Sequence, residues 1–118
     1  MCYKYIKQEE GIRLAESSHS FAAYYKRAVS PLLVLSLLRE RPMYGYEIST
    51  ALYARSSGRL SVSVLYPVLF RLQEQGFIEV SSSVIVDGRA RSYYRLTESG
   101  EEYWLQTLRE YRELNQLF

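Results

Sequence analysis

Apolar residues recur along this chain in three helical blocks and then switch to alternation. The first block, Leu32, Leu33, Val34, Leu35, Leu37 and Leu38, is apolar nearly all round, which predicts a helix buried on several sides. Ser30-Pro31 supplies its start, with Ser30 as N-cap and Pro31 at the first helical position, and Arg41-Pro42 stops it. A second helix is predicted over residues 44–54, with Ile48, Ala51 and Leu52 inward and Gly58 ending it in the left-handed conformation. The third opens at Ser61 or Ser63 and places Leu65, Val68, Leu69 and Leu72 one and two turns apart, a single core stripe closed by Gly76. Pro67 removes a backbone donor near its start and loosens that end; with Ser63 as N-cap only the earliest bond is lost.

Over residues 77–86 and 92–96 the period falls to two, with Ile78 and Val80 on one face and Tyr94 and Leu96 on its counterpart. Asp87-Gly88 marks the hairpin turn between them. Thr97 then caps a last helix, with Glu98, Glu101 and Glu102 near its positive end. Three helices followed by a two-stranded hairpin make a winged helix-turn-helix. The expected fold is therefore mainly α with a small β-hairpin, plus a C-terminal dimerisation helix. Residues 1–29 form an N-terminal extension, 30–97 the winged helix-turn-helix and 98–118 the dimerisation helix. Within the extension, residues 21–29 fit a helix packing Phe21, Tyr24 or Tyr25, and Ala28. Residues 1–18 read either as a loose tail or as a weakly amphipathic helix carrying Tyr3, Ile6 and Leu14.

The last helix needs cover. Trp104, Leu108, Tyr111, Asn115 and Phe118 recur at spacings of four and three, flanked by Leu105, Leu114 and Leu117. Two covers fit a stripe this wide: the same helix of a second chain, or the chain's own domain.

Charge sharpens this picture. Residues 1–97 hold 13 Lys/Arg against 8 Asp/Glu, and residues 98–118 hold 2 against 5, which together give the formal net charge of +2. The basic body is drawn towards phosphate and the acidic end kept from it, or the two ends simply carry ordinary solvated charge. An ordinary apolar fraction of 47% and a length of 118 residues fit one domain with an added helix. The run 32–38 is broken by Ser36 and too short for a membrane span. No basic region followed by an apolar core opens the chain, and the single cysteine, Cys2, excludes an intrachain disulfide, so a cytoplasmic protein is expected.

The chemistry on offer is that of a nucleic-acid surface. On the third helix, Ser63, Pro67, Phe70 and Glu74 lie opposite the core stripe, flanked by Tyr66 and Arg71. Ser61, Ser63 and the free amides at the helix start suit a phosphate. Tyr66 suits a phosphate or a base edge, and Phe70 a thymine methyl; the bland reading packs both on the wing. Glu74 repels phosphate, which leaves the first turns to enter a groove. In the wing, Arg91, Tyr93 and Arg95 share one strand face and Arg89 sits at the turn, so Arg89 and Arg91 suit phosphate or the minor groove. Arg95 lies nearer the body, within reach of an acid. Tyr44, at the start of the second helix, is placed to touch the DNA backbone, Tyr46 reads as structural, and Gly45 suits close helix packing. Catalysis has no support: His19 and Cys2 are the only residues of their kinds, and neither a phosphate-binding glycine loop nor a nucleophile motif is present. No cofactor is implied.

Five motifs fall in order across residues 30–103. They are the run 32–38, Pro42-Met43-Tyr44-Gly45-Tyr46-Glu47-Ile48, Leu65-Tyr66-Pro67-Val68-Leu69-Phe70-Arg71-Leu72, Gly76-Phe77-Ile78, and Gly88-Arg89-Ala90-Arg91-Ser92-Tyr93-Tyr94-Arg95-Leu96-Thr97. Together they closely resemble the PadR family of bacterial transcriptional regulators. The resemblance implies a dimeric regulator of double-stranded DNA, usually a repressor, with the dimer carried by the C-terminal helix. The short C-terminal part is similar to that of the smaller, single-helix members. Three features depart from the pattern: Ser61-Val62-Ser63-Val64 stands where Ser-Pro-Gly-Thr is usual, with Val64 lacking a hydroxyl at a DNA-facing position. Phe70 replaces a residue more often polar, and the 29-residue extension is long. In drug-sensing relatives a tryptophan further along this helix stacks on flat aromatic ligands, which makes Trp104 a ligand candidate beside its reading as a core or interface residue.

Three functions follow: a homodimeric regulator of a roughly palindromic operator, responsive to a small aromatic effector; a winged helix used only to bind protein, favoured by Val64 and Phe70; and a ligand-sequestering dimer with Trp104 and tyrosines along its seam.

Overall fold

The computed structural model describes the backbone of residues 5–8, 11–14, 19–60 and 62–118, and the side chains of 19–60 and 65–118. Two four-residue strands, β1 (Tyr5–Gln8) and β2 (Gly11–Leu14), pair antiparallel from Tyr5↔Leu14 to Gln8↔Gly11. This corrects the tail-or-helix expectation. Tyr5, Ile6 and Ile12 are strand formers, and Gly11 falls where it would weaken a helix.

Helix α1 (Phe21–Glu40) starts ten residues before Pro31. Its N-cap is Ser20, whose Oγ accepts from the Ala23 N–H at 3.1 Å, not Ser30. Pro31 sits inside the helix, where it withholds the N–H that the Arg27 carbonyl would accept. The Ser30 hydroxyl, fully buried, donates to the Lys26 carbonyl one turn back, and the packing of Leu32, Val34, Leu35, Leu37 and Leu38 holds the segment helical through the proline. Ser-Pro thus marks a helix middle here, because burial outweighs the local start signal.

A two-residue strand, β3 (Met43–Tyr44), leads into α2 (Gly45–Arg55). Glu47 reaches back to accept the Tyr44 N–H at 3.2 Å, satisfying one free donor at that helix start. Gly58, at φ 81°, ends the α2 turn. Helix α3 (Val62–Glu74) buries Leu65, Val68, Leu69 and Leu72 as their spacing predicts. It begins at Val62, so Ser63 lies inside it and does not cap it, and Pro67 is its sixth residue. Gly76, at φ 78°, closes α3, with the Phe77 N–H on the Leu72 carbonyl at 3.0 Å.

Strands β4 (Ile78–Val86) and β5 (Arg89–Leu96) form the hairpin, joined by Asp87 and Gly88 at φ 51° and 75°, the positive pair that a two-residue turn with this twist requires. A bulge between Val80 and Ser82 leaves Ser81 unpaired. β3 adds to the free edge of β5 through Met43↔Tyr94 and Tyr44↔Tyr93, so the sheet has three strands in the order β3-β5-β4, one more than the expected hairpin. Helix α4 (Glu98–Asn115) is capped by Thr97, whose Oγ1 accepts from the Gly100 N–H at 3.0 Å, and it packs back on α1. The core joins the C-terminal half of α1 to α2, α3, Met43 and Ile78. Among the described residues no helix is long and apolar enough to cross a membrane. Nor does any group of three His, Cys, Asp or Glu among them form a metal site.

Candidate nucleic-acid interface

The buried stripe of α3 turns its other face outward. Tyr66 is 55% exposed, Phe70 62% exposed, and Pro67, Arg71 and Glu74 are exposed beside them. Neither ring is buried under the wing. The Tyr66 ring lies against the start of α2 instead: a Cβ at Gly45 would stand 3.2 Å from its hydroxyl oxygen and 3.5 Å from Cε1. A side chain at position 45 would press on that ring, so Gly45 suits the close meeting of the two helices. The side chains of Ser61, Ser63 and Val64 lie outside the described residues.

Tyr44 joins this helix pair to the wing. It precedes Gly45 in the chain, and its ring meets that of Tyr93 edge-on, with centroids 5.3 Å apart and planes at 70°. The Arg91 guanidinium carbon stands 5.6 Å from the centroid of the same Tyr44 ring, while its Nε is buried without a hydrogen-bond partner. Strand register puts Arg89, Arg91, Tyr93 and Arg95 on one face of β5, as alternation predicts. Arg95 is taken by an acid: its Nε donates to Glu79 Oε1 at 2.7 Å. Arg89 is exposed at the tip. Tyr66 against the start of α2, Tyr44 beside it, and Tyr93 and Arg91 of the wing are therefore linked from α3 to β5. Tyr46 is 60% exposed on α2, which corrects its structural reading.

The C-terminal helix divides its stripe. Trp104 is half-buried on its own chain: Nε1 donates to Ser36 Oγ at 2.7 Å, and the Arg39 guanidinium carbon lies 3.8 Å from its ring centroid. Arg39 is held in turn by Glu101, with Nε 2.9 Å from Oε2 and Nη2 2.8 Å from Oε1. That pairing holds the Glu101 carboxyl below the usual glutamate range and raises the Arg39 guanidinium further. Beyond Tyr111 the helix leaves the domain. Leu105, Leu114, Leu117 and Phe118 are exposed, and Asn115 donates to the Tyr111 carbonyl at 2.7 Å. Tyr111 itself meets Tyr25 of α1, hydroxyl to hydroxyl at 3.1 Å, and that bond pushes the Tyr25 phenol up. The two rings edge an open groove of about 570 Å³ between α1 and α4, whose walls include Phe21, Leu33, Arg59 and Leu108.

Sequence reasoning missed Ser36, Arg39 and Gly100, which seat α4. Arg39 and Glu101 are 62 positions apart in the chain, and no local spacing signals such a pair.

Comparison with known proteins agrees with this architecture. The model of the transcriptional regulator PadR-like family matches residues 34–106. Transcriptional regulator Rv3488 of Mycobacterium tuberculosis is 34% identical over 90 residues, covering 76% of this chain and 82% of that protein. A transcriptional regulator from Clostridium thermocellum superposes with a TM-score of 0.72 at 28% identity, over 80% of this chain and 93% of its own. A PadR family transcriptional regulator from Eggerthella lenta gives 0.69 at 30% identity, over 79% and 80%. With its five motifs in order and its three-stranded wing, this chain belongs to the PadR-like family of transcriptional regulators.

Proposed function

We propose that this protein is a sequence-selective DNA-binding repressor, working in the cytoplasm as a homodimer on a roughly two-fold symmetric operator. The observation that carries this reading is the position of Tyr44, which ties the exposed face of α3 to the arginine face of β5. A helix of this size fits a major groove, and the wing beside it carries guanidinium groups to the flanking phosphates or minor groove. Tyr44, Ser61, Ser63, Val64, Tyr66, Pro67, Phe70, Arg71, Arg89, Arg91 and Tyr93 make up the proposed DNA surface.

The dimer rests on the outer part of α4 and the three residues after it. Leu105, Leu114, Leu117 and Phe118 present apolar surface that no element of the same chain covers among the described residues. A second copy buries them, together with Leu108, Tyr111 and Asn115, and sets two α3 helices about one helical turn of DNA apart. Trp104 contributes by seating α4 on α1. A planar aromatic effector acts in this reading at the open groove between α1 and α4, by changing the angle between the two DNA surfaces.

A second reading, a protein-binding winged helix, is favoured by the exposed Phe70 ring. Titration against the DNA upstream of the protein's own gene, at two salt concentrations and beside a scrambled duplex, separates the two. Tight, selective, salt-dependent binding supports the repressor. Absence of binding to either duplex at low salt supports the protein partner.

A further inference from the structure

We infer that, among the described residues of α3, Phe70 is the one that reads sequence, and that it selects a thymine by its C5-methyl group at a fixed position in each half-site. The inference rests on the DNA-binding reading above and names what the α3 face recognises. Between Leu65 and Glu74 the outward side chains are Tyr66, Pro67, Phe70, Arg71, Gln73 and Glu74. Pro67 has no polar group to offer a base. Tyr66 leans on the backbone at Gly45, so its hydroxyl is directed by the α2–α3 contact. Arg71 is on the flank, one turn short of the helix end, where phosphate is the nearer anion. Glu74 repels phosphate and lies a full turn beyond Phe70, which keeps the later part of α3, with the neighbouring Gln73 on its flank, out of the groove.

That leaves Phe70 at the middle of the face, 62% exposed and with no ring partner among the described residues. A phenyl ring in the major groove finds its largest complementary surface in the thymine methyl, because the groups that specify the other bases there are hydrogen-bond donors and acceptors. Placed against those polar edges, the ring would strip them of water and return no hydrogen bond. Against a methyl it buries apolar surface on both sides. The outcome is preference by contact and exclusion at one A·T pair, without the bidentate arginine–guanine bond that commonly specifies a base.

The test uses the full-length protein and the duplex it selects from a random library. Each symmetric pair of thymines is replaced in turn by uracil, which removes only the methyl and keeps the base pair. One pair should show weakening of roughly threefold to fivefold per half-site for the native protein. The same replacement should leave Phe70→Ala unaffected, while Phe70→Leu keeps part of the sensitivity. Equal sensitivity of the native protein and Phe70→Ala would overturn the inference, as would indifference to uracil at every position. Selection of no duplex at all would overturn the DNA-binding reading, and this inference with it.

Discussion

Gly100 lies directly under the Phe77 carbonyl: a Cβ at position 100 would stand 2.0 Å from that oxygen and 2.9 Å from its carbon. The same oxygen already accepts the Thr97 N–H at 3.1 Å, and Thr97 Oγ1 donates to the Gly76 carbonyl at 2.6 Å. Backbone from the α3–β4 turn is thereby clamped to the first turn of α4. The α3 helix, the wing and the C-terminal helix share this one joint.

Gly100→Ala forces that joint apart. Alanine is the better helix former by about 1 kcal/mol, but the clash is with backbone and cannot relax by a side-chain rotation. A net loss of about 1–3 kcal/mol is expected, read as a lower denaturant midpoint with an unchanged slope. A midpoint equal to the native one would mean that α4 shifts freely over the turn.

The Arg39–Glu101 pair and Trp104 give α4 a second attachment. Glu101 titrates below the ordinary glutamate value because Arg39 holds its charged form. Its contribution to stability is therefore complete above that ordinary value and is lost as pH falls through the depressed one. Glu101→Gln should lower the denaturant midpoint near neutral pH, and the gap from the native protein should close in acid. Trp104→Phe removes the bond to Ser36 and should cost about 1 kcal/mol at either pH. A gap that widens in acid would reverse the sign argued for Glu101.

These attachments mark where the sequence could be read and where it could not. Helices α2 and α3, the hairpin turn and the α4 cap carry their signals within a few residues: Leu65, Val68, Leu69 and Leu72 at helical spacing, Asp87-Gly88, and Thr97. The α1 start lies ten residues before the one that Ser30-Pro31 predicts, because burial of Leu32, Val34, Leu35, Leu37 and Leu38 overrides that sound local signal. β3 is two residues long and leaves no period at all; only its partners Tyr93 and Tyr94 define it. Arg39, Ser36 and Gly100 act across more than sixty positions of chain, or against backbone, and no pattern within a short window reveals either. On the candidate interface, alternation alone placed Arg89, Arg91 and Tyr93 on one face, whereas the link through Tyr44 and Gly45 required the fold.

The wing gives the next prediction. Replacing Arg89 and Arg91 together by Ala should weaken binding to specific and scrambled duplexes alike, because phosphate contacts carry charge without sequence. The slope of log affinity against log salt should fall by about 0.9 for each phosphate contact removed. Arg91→Lys keeps the charge and should keep the salt slope, but it should not restore the full affinity, since that guanidinium lies 5.6 Å from the Tyr44 ring centroid and a lysine cannot stack there in the same way. Unchanged affinity and slope in the double variant would remove the wing from the DNA surface.

The outer half of α4 supplies the last. Leu114 and Leu117 are exposed, and they lie beyond the Tyr25–Tyr111 contact where the helix leaves its own domain. Burying them against a second copy is favourable by roughly 25 cal/mol for each Å² of apolar surface covered, and a carboxylate at either position would have to be desolvated in the same seam. Leu114→Asp with Leu117→Asp should therefore convert the proposed dimer to a monomer while leaving the domain folded, because neither side chain belongs to its core. Sedimentation velocity reads the mass and circular dichroism the fold. Operator affinity should fall steeply in the same variant, and the salt slope by about half, since one wing and one α3 helix then act where two did. A folded variant that sediments as the native protein would overturn the seam proposed at this end of α4.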